Sequence, residues 1–156
     1  VFVRKMEEKD LESVSATCMA SFQQSVAGTL SEEGVSTFSK IAATNAFLER
    51  MKGDNLVLVA EIDGKVEGVI ELKEGRHVAM LFISPECQKK GIGKALLSSA
   101  LNYAKVETIT VSASLSSVPA YEKYGFKCKG EADESAGLVY QPMEIILNKA
   151  IHGPIS

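Results

Sequence analysis

The chain has 156 residues, 46% of them hydrophobic and 24% charged, with 4 prolines, 12 glycines and a formal net charge of −3. That length suits one domain able to bury a core without help from a metal or a disulfide, and the acidic balance argues against a nucleic-acid partner. No apolar run reaches the ~20 residues of a membrane span, no signal-peptide pattern is present, and Cys18, Cys87 and Cys128 are scattered without a CxxC pair. Reduced, spectator thiols in a cytoplasmic protein with no metal site are therefore expected.

Phe2 to Met6 alternates as a first strand. Leu11, Val14, Cys18 and Phe22 recur at helical spacing and predict a helix ending near Gly28. Ser31-Glu32-Glu33 reads as an N-cap with first-turn acids, opening a helix through Val35, Phe38 and Ile41, with a further turn or two holding Phe47 and Met51. A β-branched run from Leu56 to Ile62 then meets Asp63-Gly64, a strong two-residue hairpin signal. Val66 to Leu72 returns, Glu74-Gly75 turns again, and His77 to Ile83 forms a third strand ended by Pro85. Ala95 to Ala104 is apolar over the wide face of a helix packed on a sheet. Thr108 to Ala113 is a strand, Val118-Pro119 opens a short helix stopped at Gly125, and strands near Phe126–Lys129 and Met143–Leu147 finish the pattern. The order is β-α-α-β-β-β-α-β-α-β-β, one α/β (α+β) domain over residues 1–150 with a tail at 151–156, where His152 carries no signal.

The chemistry concentrates in Gln88-Lys89-Lys90-Gly91-Ile92-Gly93-Lys94, between a strand and a helix. Such a junction aims unpaired backbone N–H groups and the positive end of the helix dipole at one small volume, and glycines let a ligand approach the backbone. Lys89, Lys90 and Lys94 add ammonium groups, an arrangement suited to a pyrophosphate. A dinucleotide fingerprint would need glycine where Leu96 stands, and a P-loop would need Ser or Thr where Ala95 stands.

Gln88-x-x-Gly91-x-Gly93 after Leu81-Phe82-Ile83, followed by Tyr121-Glu122-Lys123-Tyr124-Gly125-Phe126, resembles the acyl-CoA signature and the Tyr-Glu-Lys-x-Gly-Phe segment of the GNAT superfamily. The resemblance spans nearly the whole chain and implies a mixed, mostly antiparallel sheet of six to seven strands flanked by about four helices. It implies acetyl-CoA as co-substrate, with backbone groups of Leu81, Phe82 and Ile83 along the pantetheine arm and the amides of Lys89, Lys90, Gly91, Ile92, Gly93 and Lys94 at the pyrophosphate. An amide near Phe82 or Ile83 would take the oxyanion role, and Tyr121 would stand beside the CoA sulfur as general acid. Ser114 occupies the position where the family often has Asn.

Amide formation also needs a neutral amine, and an alkylamine with a pKa near ~10 is mostly protonated at pH 7. His77 is the candidate base, since imidazole titrates near neutrality. Glu71, expected near Val78 on the opposite face from His77, is the weaker alternative. The acceptor, a small amine in preference to a protein, is expected between the first helices and the strand ends, near Phe22, Phe38 and Phe47. Tyr124 is expected to pack. A monomer or homodimer is expected; a CoA-binding module without turnover and a protein-directed acetyltransferase are the alternative readings.

Overall fold

The computed structural model describes residues 1–26, 28 and 30–147; His152 and the tail lie outside them. The chain forms β1 (Phe2–Lys5), α1 (Leu11–Ser25), α2 (Glu32–Ile41), α3 (Thr44–Met51), β2 (Asn55–Ile62), β3 (Lys65–Lys73) and β4 (His77–Ile83). It continues through α4 (Ile92–Leu101), β5 (Thr108–Ala113), α5 (Val118–Lys123), β6 (Lys127–Cys128), β7 (Asp133–Ser135) and β8 (Leu138–Ile146). The sheet order is β1-β2-β3-β4-β5-β8-β6, with β7 paired to β8; only β4 and β5 are parallel.

The predicted turns hold for a physical reason. Asp63 and Gly64 have φ of 51° and 79°, the left-handed pair of a two-residue hairpin, and Glu74 and Gly75 have 55° and 66° within a three-residue connection, since Lys73 pairs with His77. Three elements differ from expectation. The residues after Ile41 form a separate helix, α3, because Ala43 is extended with ψ of 149°; no glycine or proline announces that break. Strand β7 is made of exposed polar residues and so lacks alternation, and it turns into β8 through Ala136 and Gly137 with φ of 51° and 83°. Strand β8 runs through Pro142, which the sequence pattern treats as its limit.

Two cores lie on opposite faces of the sheet. One packs α4 and α5 through Ile92, Leu96, Leu97, Tyr121 and Phe126 onto Leu58, Ile70, Leu72 and Val78. The other packs α1, α2 and α3 through Val14, Cys18, Phe22, Phe38 and Phe47 onto Val57, Val59, Val69 and Met80. Burying a side chain such as Phe47 contributes about 1.5–3 kcal/mol. Gly68 of β3 leaves no room for a Cβ, which would stand 2.9 Å from Leu96, so α4 sits close on the sheet.

The face under α1 and α3 carries one buried ion pair. Arg50 Nε of α3 donates to both carboxylate oxygens of Glu71, at 3.1 and 2.9 Å, while Nη1 donates to the Ile41 carbonyl. The guanidinium also lies 4.6 Å from the Phe47 ring centre. Burial pushes the Glu71 carboxyl up and the Arg50 charge opposes that shift. A partnerless carboxylate here would be costly. We predict that Arg50→Leu lowers stability by about 3 kcal/mol in urea denaturation. Adding Glu71→Leu should recover most of the loss; a single variant as stable as the parent would show that the pair contributes nothing.

Candidate active site

The site begins where β4 leaves β5. The two strands pair only at His77↔Thr110 and Val78↔Val111. Immediately beyond, β4 carries a bulge: Leu72 pairs with Val78 but Glu71 pairs with Met80, leaving Ala79 extra. A bulge bends its strand and sharpens the local twist, and from Ala79 onward β4 follows β3 alone. The gap between the diverging strands is the mouth of a cavity of about 460 Å³, lined by Ala79, Leu81 and Phe82 on one side and Ser112, Ala113 and Ser114 on the other.

The register decides which peptide groups face that gap. Ser84 N–H donates to the Glu67 carbonyl on β3 at 2.8 Å, so groups of the same parity, including Phe82, turn toward β3. Leu81 and Ile83 therefore direct their N–H and C=O groups away from β3, into the cleft. Phe82 offers the cavity its ring instead, edge-on to Phe38 at 5.2 Å. Of the backbone amides in this stretch, those of Leu81 and Ile83, and not that of Phe82, point into the cleft.

The glycine turn follows the end of β4. Lys89 and Gly91 have φ of 66° and 80°, and Gly91 is the N-cap of α4. Left-handed residues in such a turn draw successive amides into a concave, anion-binding array, with the dipole of α4 behind it. Lys89, Lys90 and Lys94 are exposed around the turn, whereas Ile92 is buried in the core. Gln88 points back: its Nε2 donates to the Ile83 carbonyl at 3.2 Å and ties the turn to the end of β4. The glycines differ in purpose. Gly91 has open space where a Cβ would be but needs its positive φ. A Cβ on Gly93 would stand 2.5 Å from the Tyr124 hydroxyl, so that glycine admits Tyr124 against the start of α4. Tyr124 packs, as expected.

Tyr121 lines the cavity from α5, 5% exposed, with its ring edge-on to Phe126 at 5.3 Å and Tyr124 at 6.0 Å. Burial raises its phenol well above the ordinary value, so it is protonated at neutral pH. The Ser114 hydroxyl lies 2.5 Å from that of Ser117, and both residues line the same wall.

His77 stands apart. It occupies the closed end of the β4–β5 junction, its Nδ1 2.7 Å from Thr110 Oγ1, and it is not among the residues lining the cavity. Burial lowers its imidazole, with the charges of Arg76 and Lys73 adding to the shift. The hairpin register also moves Glu71: His77 pairs with Lys73, which lies on the same face of β3 as Glu71, so Glu71 shares a face with His77 and does not oppose it as expected. Its carboxylate is held in an ion pair with Arg50, and it is not among the residues lining the cavity.

Of the expected acceptor residues, Phe22 and Phe38 line the cavity, stacked at 4.0 Å with an interplanar angle of 9°. Phe47 belongs to the core. Met80, Thr37, Ser135 and Tyr140 also line the cavity and had no sequence signal beyond the overlooked Ala136-Gly137 turn. Thr37 of α2 donates to the Ala136 carbonyl at 2.7 Å, and Gly34 meets Gly137 backbone to backbone, so α2 and the β7–β8 turn close the outer side.

Among the described residues, Cys18 and Cys87 are buried, Cys128 is exposed, and all are free. No group of His, Cys, Asp or Glu there could hold a metal, and no helix there is long and apolar enough to cross a membrane.

Comparison with known proteins agrees with this geometry. The chain is 26% identical over 125 residues to the uncharacterised N-acetyltransferase YafP of Escherichia coli K12, covering 80% of each chain. A shorter match, 46% identical over 39 residues, joins it to the peptidyl-lysine N-acetyltransferase YiaC of the same organism and spans 27% of that protein and 25% of this chain. The structure of the PaiA N-acetyltransferase from Thermoplasma acidophilum in complex with coenzyme A superposes with a TM-score of 0.76 at 26% identity, covering 93% of this chain and 98% of that one. A sequence model of the family described as an acetyltransferase (GNAT) domain matches residues 26–147, and the chain belongs to that family of acetyl-CoA-dependent N-acetyltransferases.

Proposed function

We propose that the diverging strands take acetyl-CoA with its pantetheine arm along Leu81 and Ile83 and its pyrophosphate at the Lys89–Lys94 turn. The acceptor amine then attacks the thioester directly in a ternary complex. The observation that carries this reading is the joining of two features in one cleft: an unpaired edge of β4 and a left-handed, lysine-flanked helix start at its end. An extended amide-bearing arm can add to that edge as a strand would. Ser114 and Ser117 offer hydroxyls on the facing wall.

In the reaction, the amine nitrogen forms a C–N bond to the acetyl carbonyl carbon. A cleft amide of Leu81 or Ile83 stabilises the developing oxyanion. Collapse breaks the C–S bond, the thiolate takes the phenol proton of Tyr121, and the amide nitrogen gives up its proton to water or the phenolate. Burial keeps the phenol protonated at neutral pH, so its proton is in place when the thiolate leaves. The acceptor is a small amine, because α2 and the β7–β8 turn meet backbone to backbone across the outer wall and leave little room for a protein segment. His77 takes no direct part, since the bonded imidazole lies outside the cavity lining.

Tyr121→Phe is expected to lower kcat about 100-fold with little change in the KM for acetyl-CoA. Equal turnover would remove the acid role. By contrast, His77→Gln should change kcat by less than about threefold; a 100-fold fall with loss of the acidic limb of the pH profile would restore the imidazole as base. For the cofactor, calorimetry with CoA should give a Kd about 10-fold weaker for Gly91→Ala, since a left-handed alanine costs roughly 1–2 kcal/mol. Gly91→Asn should lose less, asparagine tolerating that region. Identical affinities in all three proteins would show that CoA does not seat on this turn.

A further inference from the structure

The cavity wall has a property that the fold alone does not require. Among the described residues that line it there is no Asp, Glu, His, Lys or Arg. Of the carboxylates on the neighbouring strands, Glu71 pairs with Arg50 and Glu144 with Lys129 at 3.2 Å, while Asp133 and Glu134 of β7 are exposed and outside the lining. The polar groups that remain are hydroxyls, chiefly Thr37, Ser112, Ser135 and Tyr140, and the Thr37 hydroxyl is already donated to Ala136.

Resting on the reading above, we infer that the acceptor is a weakly basic amine on an apolar body of aromatic size, of the arylamine class. An ammonium group entering this cavity would leave water without gaining an opposite charge, and such burial is costly. An alkylamine with a pKa near ~10 is neutral in only about one molecule per thousand at pH 7. No carboxylate on the wall shifts that balance or accepts the proton. An aniline-type amine enters already neutral and already nucleophilic, so it needs no base.

The aromatic groups fit the same occupant. Phe22 and Phe38 are stacked nearly parallel and spend one face of each on the other, and Phe82 meets Phe38 by its edge. A cage for a cation needs several free ring faces converging on one point. This arrangement offers a flat apolar flank, against which a ring or a short hydrocarbon packs. A polyamine would bring several charges to a wall that answers none of them. An α-amino acid would bring a carboxylate with no lysine or arginine to receive it.

The test compares 4-methylaniline, spermidine and an N-terminally blocked lysine peptide as acceptors at pH 7, following thiol release from acetyl-CoA, with CoA binding measured in parallel by calorimetry. The expected result is a kcat/KM for 4-methylaniline at least about 100-fold above the other two, the penalty for an unpaired buried charge. Phe38→Leu should raise the KM for 4-methylaniline about fivefold, an aromatic contact's worth, and leave that for acetyl-CoA unchanged. Faster transfer to spermidine or to the peptide, or no transfer to the arylamine, in a protein that binds CoA would overturn the inference and leave the transferase reading standing. An unchanged KM in Phe38→Leu would show that the acceptor sits elsewhere. Failure to bind CoA would remove both.

Discussion

The parting of β4 from β5 governs this molecule. Parallel strands that stayed together would satisfy each other's backbone groups and leave no ligand site between them. Here the ladder stops after Val78↔Val111, and the extra residue at Ala79 bends β4 toward β3. Polar backbone groups in the interior of a protein need partners. The edge that β4 exposes leaves backbone groups of Leu81 and Ile83 turned toward the cleft. The glycine turn, α4 and α5 are arranged around the same opening, with Gln88 fastening the turn to the strand end. The chemistry of the site follows from one interruption of a sheet.

Charge is distributed with the same economy. Arg4 joins Asp10 and Glu61 at 2.8 and 2.7 Å where β1 and β2 meet the start of α1, and Arg50 joins Glu71 beneath α3. Lysines ring the helix start. Between these regions the cavity is neutral, its polar groups being backbone amides and hydroxyls among apolar side chains and rings. A low-dielectric, uncharged chamber strengthens each hydrogen bond aimed at a developing charge.

Much of this was legible in the sequence, and the failures have physical causes. Asp63-Gly64 and Glu74-Gly75 could be read because a left-handed pair restricts residue choice sharply. Gly91 was readable for the same reason, and Tyr121 through a local motif. The bulge at Ala79 was not, since an alanine in an apolar run carries no mark of register. Glu71 was misplaced relative to His77 by the turn: Arg76 belongs to the connection with Glu74 and Gly75, so Lys73 faces His77, and one residue of slip reverses the faces. The separate helix α3 was missed because alanines, and not glycine or proline, make the break. Strand β7 was missed because it is polar on both faces, held by pairing with β8 and by its turn. His77 had the chemistry of a base, but the spacing of residues could not reveal that it lies at the closed end of the junction.

The contact between Gly34 and Gly137 has a bearing on how such a pocket can change. Both residues lack a side chain at the point where α2 touches the β7–β8 turn, so the spacing of those elements is set by two main chains in direct contact. No rotamer adjustment can widen or narrow it. Any change in the size of the cavity must then proceed through the residues behind this stop, Phe22, Phe38 and Tyr140, while the outer frame keeps a constant gauge.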